Sequence, residues 1–410
     1  MLAGIGKAVL TPPLLTELAG YGYYLQRKAQ SVQDDLFARA VALEQDGRRY
    51  CIISCDLLGL NANVAKKVRG RLFEQNACPP EHTMLVSIHT HTGPAIKHHE
   101  GTGEINPLYV ETVADTILSA CAAAFNAMAP VEAISFAMQE ASACFAYNRT
   151  GESLPPDNNV RAFTIKRAGA RPIALISHAC HAVSRGKSTA VSADYPGQLC
   201  ALMAAKGIDA IYLNGACGDI DPLPPHGGDL AERIAQSISD ALKPSSKPLA
   251  LTISGGILKE SLQLMPVTAE KIRQAATHAA ENESIPGGAK VARIWEKAML
   301  DKLPTLLAEE VFSVQWLCLC GIPIVALPFE AFSLTAQLIR EAIGDSHTLV
   351  LGCADELLGY LPTRADMAKS SYAALESTFL YKRLPPQLGE AERLGISIGL
   401  SLKQSQEDAQ

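Results

Sequence analysis

The chain has 410 residues, 48% of them hydrophobic and 19% charged, with a formal net charge of -6. So apolar a composition excludes an intrinsically disordered chain, and the acidic balance excludes nucleic-acid binding through bulk basic charge. At ~100–200 residues per domain, the length fits two domains or one large α/β domain.

The first fifteen residues carry Lys7 inside their apolar run and end near Pro12-Pro13, so they do not read as a signal peptide. Tyr50–Ser54 is β-rich, and Asn61–Gln75 follows with helical periodicity. Met84–Ile88 is a short apolar strand. Pro107–Ala127 is a long apolar helix, interrupted by Asp115, Ser119 and Asn126. A membrane span needs ~20 mostly apolar residues in a row, so this segment reads as a buried helix. Val160–Lys166, Ile173–Ser177, Ala210–Leu213 and Leu249–Ser254 are strand candidates, and Pro196–Lys206 and Leu230–Leu242 are helical. The polar stretch Thr268–Leu307 reads as two helices broken at Pro286-Gly287-Gly288, either a lid or a solvated hairpin covering a sheet face. The strands Val314–Cys320, Ile322–Leu327 and Thr348–Leu351 follow, with the helix Ala331–Ile343 among them. The alternation predicts an α/β fold with a mixed or mostly parallel sheet flanked by helices.

The eleven cysteines lie mostly in apolar runs without a disulfide-like spacing, and Cys318 and Cys320 fall inside a strand with no second pair to complete a metal site. Reduced thiols in a cytoplasmic protein are expected. The apolar content allows a homo-oligomer without requiring one.

The ten histidines are unevenly placed: five fall between His82 and His99, and two more are His178 and His181. His89-Thr90-His91 directly follows a predicted strand. Residues two apart on an extended backbone share a face, so H-x-H aims two imidazoles into one place. Ligand sites in α/β sheets lie beyond the carboxyl ends of strands, and imidazole is a common metal ligand. Alone, such a pair is more often a surface or core-edge feature. Ser177-His178-Ala179-Cys180-His181 repeats the context, with His178 the better candidate for a structural role. Gly215-Ala216-Cys217-Gly218-Asp219-Ile220-Asp221-Pro222 follows a third strand, and its carboxylates read as general bases or as an Asp-rich turn. Glu330 ends a fourth strand, and Tyr360 lies shortly after Thr348–Leu351. Each is ordinary alone; together they suggest several loops converging on one site.

These motifs, in this order, resemble the neutral/alkaline (non-lysosomal) ceramidases, zinc-dependent amidases that cleave the N-acyl bond of ceramide. The resemblance extends to Thr11-Pro12-Pro13, Gly20-Tyr21-Gly22, Phe37-Ala38-Arg39-Ala40 and Asp56, and to Ser192-Ala193-Asp194-Tyr195-Pro196-Gly197, and it covers nearly the whole chain. It implies one ceramidase-like catalytic domain over residues 1–410, with 268–307 as a helical insertion or lid. The family's immunoglobulin-like C-terminal domain has no expected counterpart. It further implies Zn2+ held by His89, His181, Glu330 and Tyr360, with His91 beside the metal as an acid/base group. Asn148-Arg149 and Tyr372 match family residues that face the substrate amide. Where the family carries a catalytic serine, this chain has Asp221. Hydrolysis by metal-activated water is therefore expected, with His91, Asp219 or Asp221 handling protons. The expected substrate is a soluble small-molecule amide rather than ceramide. Two alternatives stay open: an inactive small-molecule-binding relative, and a metal hydrolase of esters or lactones.

Overall fold

The computed structural model describes residues 1–151, 154–242 and 248–407. Its strands form two mixed sheets. The first runs, in spatial order, Asp209–Asn214, Ala170–His178, Asn159–Arg167, Ala129–Glu140, Leu2–Val9, Phe37–Gln45, Arg48–Cys55, Thr83–Ser87. The second runs Ile253–Gln263, Glu309–Leu319, Ile322–Ala326, Leu349–Leu351.

Period-two alternation decides what each sheet face meets. Val41 and Leu43 point one way and join Ile52, Leu175, Leu317, Leu319 and Leu349 in a core shared by both sheets. Ala38, Ala40 and Ala42 point the other way, onto helices that include Pro107–Asn126. The outer face of the second sheet, including Val314, Trp316 and Val325, is covered by the hairpin Ala269–Glu281/Gly288–Lys302 and by Ser333–Ile343 and Glu390–Glu407. The result is four layers: helices, sheet, sheet, helices. Pro107–Asn126 is long and apolar enough to cross a membrane by composition, but Val113, Ile117, Leu118 and Cys121 bury one face in the core. Each such Val, Leu or Ile stabilises by ~1.5–3 kcal/mol.

The expected mixed sheet is present, but as two sheets, and antiparallel pairs dominate. Within these two sheets the parallel pairs are Arg48–Cys55 with Thr83–Ser87, Asp209–Asn214 with Ala170–His178, and Ile322–Ala326 with Leu349–Leu351. The strand expected at Leu249–Ser254 instead starts at Ile253 and continues to Gln263. Gly255-Gly256 and the polar Lys259, Glu260 and Gln263 hide it from a search for apolar runs.

Candidate metal centre

The three parallel pairs place their carboxyl ends together, and the loops beyond them meet between the sheets. His89 follows Thr83–Ser87 and His181 follows Ala170–His178. The expectation that His89 and His91 share an extended backbone needs correction. The strand has ended at Ser87, and His89 is left-handed, with φ +65°. The two rings still converge, their centroids 4.9 Å apart, through a local bend rather than a pleat. A non-glycine residue held there costs about 1–3 kcal/mol and is maintained by its surroundings.

Glu330 sits in a two-residue parallel ribbon, directly opposite Tyr360. A second short ribbon pairs Ile220 with Asn148 and Asp221 with Tyr147. These ribbons carry the loop residues into place.

His89 Nε2 lies 3.0 Å and His181 Nε2 3.1 Å from the same oxygen, Glu330 Oε2. The opposite ring nitrogens are tied to main-chain carbonyls: His89 Nδ1 to Leu58 at 2.6 Å and His181 Nδ1 to Ile220 at 3.1 Å. A carbonyl accepts only, so each Nδ1 carries the proton, and a neutral ring turns a lone pair toward Glu330. Two lone pairs and a carboxylate oxygen meeting in a buried place require a cation between them, a proton or a metal ion. Burial alone would raise the Glu330 carboxyl, but the two imidazoles outweigh it and hold it well below the usual carboxylate range. Burial likewise opposes a charge on His181, yet the neighbouring Cys217 thiol and Glu330 hold it well above the usual imidazole range.

His91 completes a triad. One ring nitrogen each of His89, His91 and His181 lies within 4.8 Å of the others. Both His91 nitrogens are buried and without a hydrogen-bond partner. Burial, reinforced by the two nearby imidazoles, pushes its pKa well below the ordinary value. Buried polar atoms are normally partnered, so an unsatisfied imidazole beside two others fits a site built for a cation or a reacting group.

Tyr360 faces the same cavity. Its hydroxyl oxygen accepts from Arg149 Nη2 at 2.8 Å, and Arg149 Nη2 also donates to Gly218 O at 2.8 Å. Burial raises the Tyr360 phenol well above its usual value, and Arg149 opposes this. Arg149 therefore reaches the site through Tyr360, not through the cavity wall.

Two expected proton carriers are engaged elsewhere. Asp219 is fully buried; its Oδ1 accepts from Ser333 N at 2.8 Å, at the start of the Ser333–Ile343 helix, and its Oδ2 from Asn148 Nδ2 at 2.9 Å. Asn148 Oδ1 accepts from Thr150 N and Oγ1. This pair ties the short ribbon to the helix that follows Glu330, and Asn148 does not line the cavity. Asp221 lies on the Nδ1 side of His181, away from Glu330, with Oδ1 3.4 Å from His181 Nδ1 and Oδ2 3.7 Å from Arg149 Nη1.

The cavity above the cluster measures about 40 Å³ and is lined by Gly20, Tyr21, Gly22, His99, Tyr372 and Tyr381 among others. Larger cavities of about 380 and 650 Å³ lie elsewhere and include none of the cluster residues.

No family model and no curated protein matches this chain. Among solved structures, the neutral ceramidase from Pseudomonas aeruginosa is similar with a TM-score of 0.74 and 16% identity, over 98% of this chain and 74% of that one. A ceramidase complexed with C2 gives 0.73 and 16%, over 98% and 75%. The chain has the neutral ceramidase fold. At this identity the likeness fixes the architecture, and the residues must carry the chemistry. Within the ceramidase fold, the chain holds three site residues that sequence reasoning did not assign. Tyr381 donates its hydroxyl to Glu330 Oε1 at 2.6 Å, so both carboxylate oxygens are fixed. Tyr21 packs edge-on against His91, with ring centroids 5.0 Å apart. His99 lines the cavity and packs on Tyr381, their ring centroids 4.5 Å apart. Only Tyr21 had a signal, the Gly-Tyr-Gly run; Tyr381 and His99 stand in no motif.

Proposed function

We propose that the chain is a zinc-dependent hydrolase that cleaves the amide bond of a soluble N-acyl compound. The observation that carries this reading is the meeting of two imidazole Nε2 atoms on one carboxylate oxygen, with both Nδ1 atoms tied to carbonyls. Two nitrogens and a carboxylate suit zinc, and the ceramidase fold supports the reaction class.

His89, His181 and Glu330 would hold the metal. The fourth place falls to Tyr360, because Arg149 donates to its phenol oxygen and favours the phenolate. Bound zinc would polarise the scissile carbonyl and supply a water acidic enough to deprotonate near neutral pH. His91, with two unpartnered nitrogens, is the group that would hold the proton of the attacking water and pass it to the leaving amine. Asp221 steadies His181 from behind. Tyr372, its ring 6.0 Å from that of Tyr360, bounds the space for the substrate amide.

The test is metal analysis of tag-free protein, followed by assay of the loaded chain on a panel of N-acyl amines, N-acyl amino sugars and the matching esters. About one zinc per chain and hydrolysis of amides are expected. A chain that takes up no zinc, or one that cleaves only the esters, overturns the proposal.

A further inference from the structure

The cavity roof is the strap Gly20-Tyr21-Gly22-Tyr23-Tyr24. Gly20, Tyr21, Gly22, Tyr24 and Gln26 all have positive φ, between 49° and 106°. Such a run does not hold its shape unaided; its surroundings impose it. From below, the strap rests on the cluster. A Cβ on Gly20 would lie 2.5 Å from His91 Nδ1, so only glycine permits this approach. Arg27 Nη2 donates to Ala19 O at 2.5 Å and to His91 O at 2.7 Å, binding the strap ends to the floor.

From above, the strap is pressed by the tip of the Ala269–Glu281/Gly288–Lys302 hairpin. A Cβ on Gly22 would lie 3.0 Å from Ile285 Cγ2, and one on Gly287 would lie 3.2 Å from Tyr23 and Tyr24. Lys290 Nζ stands 3.9 Å over the Tyr24 ring. The tip is latched in turn: Ser284 N donates to Glu376 Oε1 at 3.0 Å, and the Ser284 hydroxyl donates to the same oxygen. Glu376 ends the π-helical turn Tyr372–Glu376 and accepts the Tyr23 hydroxyl on its main-chain oxygen at 3.3 Å. Isolated π-turns gather at functional sites. Roof and wall are thus held by one set of contacts from a segment distant in sequence.

We infer that the hairpin tip, through Ile285 and Ser284, fixes the strap over the metal cluster and limits the acyl group to about the size of acetyl. This rests on the proposed function and specifies its substrate as a short-acyl amide. A cavity of about 40 Å³ has room for about three waters, at ~10–15 Å³ each. Acetyl has three heavy atoms and fits this space; a longer chain meets the strap, which at Gly20 lies too close to His91 to admit even a Cβ.

Carboxylates, the products of either amide or ester cleavage, provide the probe. The chain is loaded with Co2+ and titrated with acetate, butanoate and octanoate, following the visible bands of the metal centre. Acetate is expected to bind roughly 100-fold more tightly than octanoate, the scale of discrimination a tight apolar pocket achieves. In Ile285→Ala and Ser284→Ala, that ratio is expected to fall by about 10-fold with Co2+ content unchanged. Octanoate binding the wild-type chain as tightly as acetate overturns the size limit and leaves the metal function standing. An unchanged ratio in both metal-replete variants removes the hairpin from the role. A chain that binds no metal refutes the function itself, and this inference with it.

Discussion

The two sheets give the site different things. The eight-stranded sheet supplies the two imidazoles of the proposed metal site, His89 and His181, from the ends of its parallel strands. The segments around the four-stranded sheet supply its proposed oxygen ligands, Glu330 and Tyr360. Neither half offers the proposed set of two nitrogen and two oxygen ligands by itself. The proposed centre therefore forms only where the sheets pack. That packing rests on the shared core of Ile52, Leu175, Leu317 and Leu349 and on a few charged ties. Arg69 reaches from the Ala62–Asn76 helix to Thr83 O, Gln315 and Asp355. Arg161 and Arg340 converge on Asp157, each from one half.

The hardest way to break the comparison is to empty one half of the donor set. His89→Ala is expected to take zinc from about one per chain to near zero and to lower kcat/KM at least ~1000-fold, since a catalytic metal contributes several kcal/mol. His91→Ala sharpens the point. If His91 moves protons, its variant keeps zinc and loses ~100-fold in kcat. Zinc loss in His91→Ala, with zinc retained in Tyr360→Phe, would move His91 into the ligand set.

A smaller effect is expected from the oxygen side. Tyr381→Phe removes one hydroxyl and leaves Glu330 Oε1 without its donor. Partners behind metal ligands are typically worth 10–100-fold in affinity or activity. Competition with a zinc chelator should show this loss while the melting temperature stays close to wild type. Unchanged affinity would reduce Tyr381 to a cavity wall.

Legibility follows the same division. His89, His181 and Glu330 were readable because each directly follows an apolar strand, and a polar group at a strand end is a local pattern. Asp219 has the same local pattern, yet its carboxylate serves Ser333 and Asn148. Sequence spacing shows that a carboxylate is near; only packing shows which way it turns. Tyr381 with Glu330, Ser284 with Glu376 and His99 with Tyr381 are pairs 51, 92 and 282 residues apart, with no periodicity to mark them. The strand Leu2–Val9 escaped for another reason. Its Gly4 and Gly6 let the Pro107–Asn126 helix approach closely, so the middle of that face carries no side chains to count.

The mildest prediction tests the joint between the halves rather than the donors. Burial would raise the Asp157 carboxyl, but Arg340 and Arg161 outweigh it and lower it to about 2, from 3.8. A depressed carboxylate stabilises the fold above its unfolded value near 4, and that contribution is lost as pH falls through the folded value. A shift of this size corresponds to about 2 kcal/mol at pH 7. Asp157→Asn also leaves two guanidinium groups short of a partner, a cost that does not vary with pH in this range, so the trend is more informative than the size. Urea unfolding of both proteins between pH 7 and pH 3 should show a gap in stability that is constant above about pH 5 and narrows below pH 4. Zinc content should stay the same, because Asp157 touches none of the donors. A gap that does not change with pH would mean that the charge on Asp157 contributes nothing to holding the two halves together.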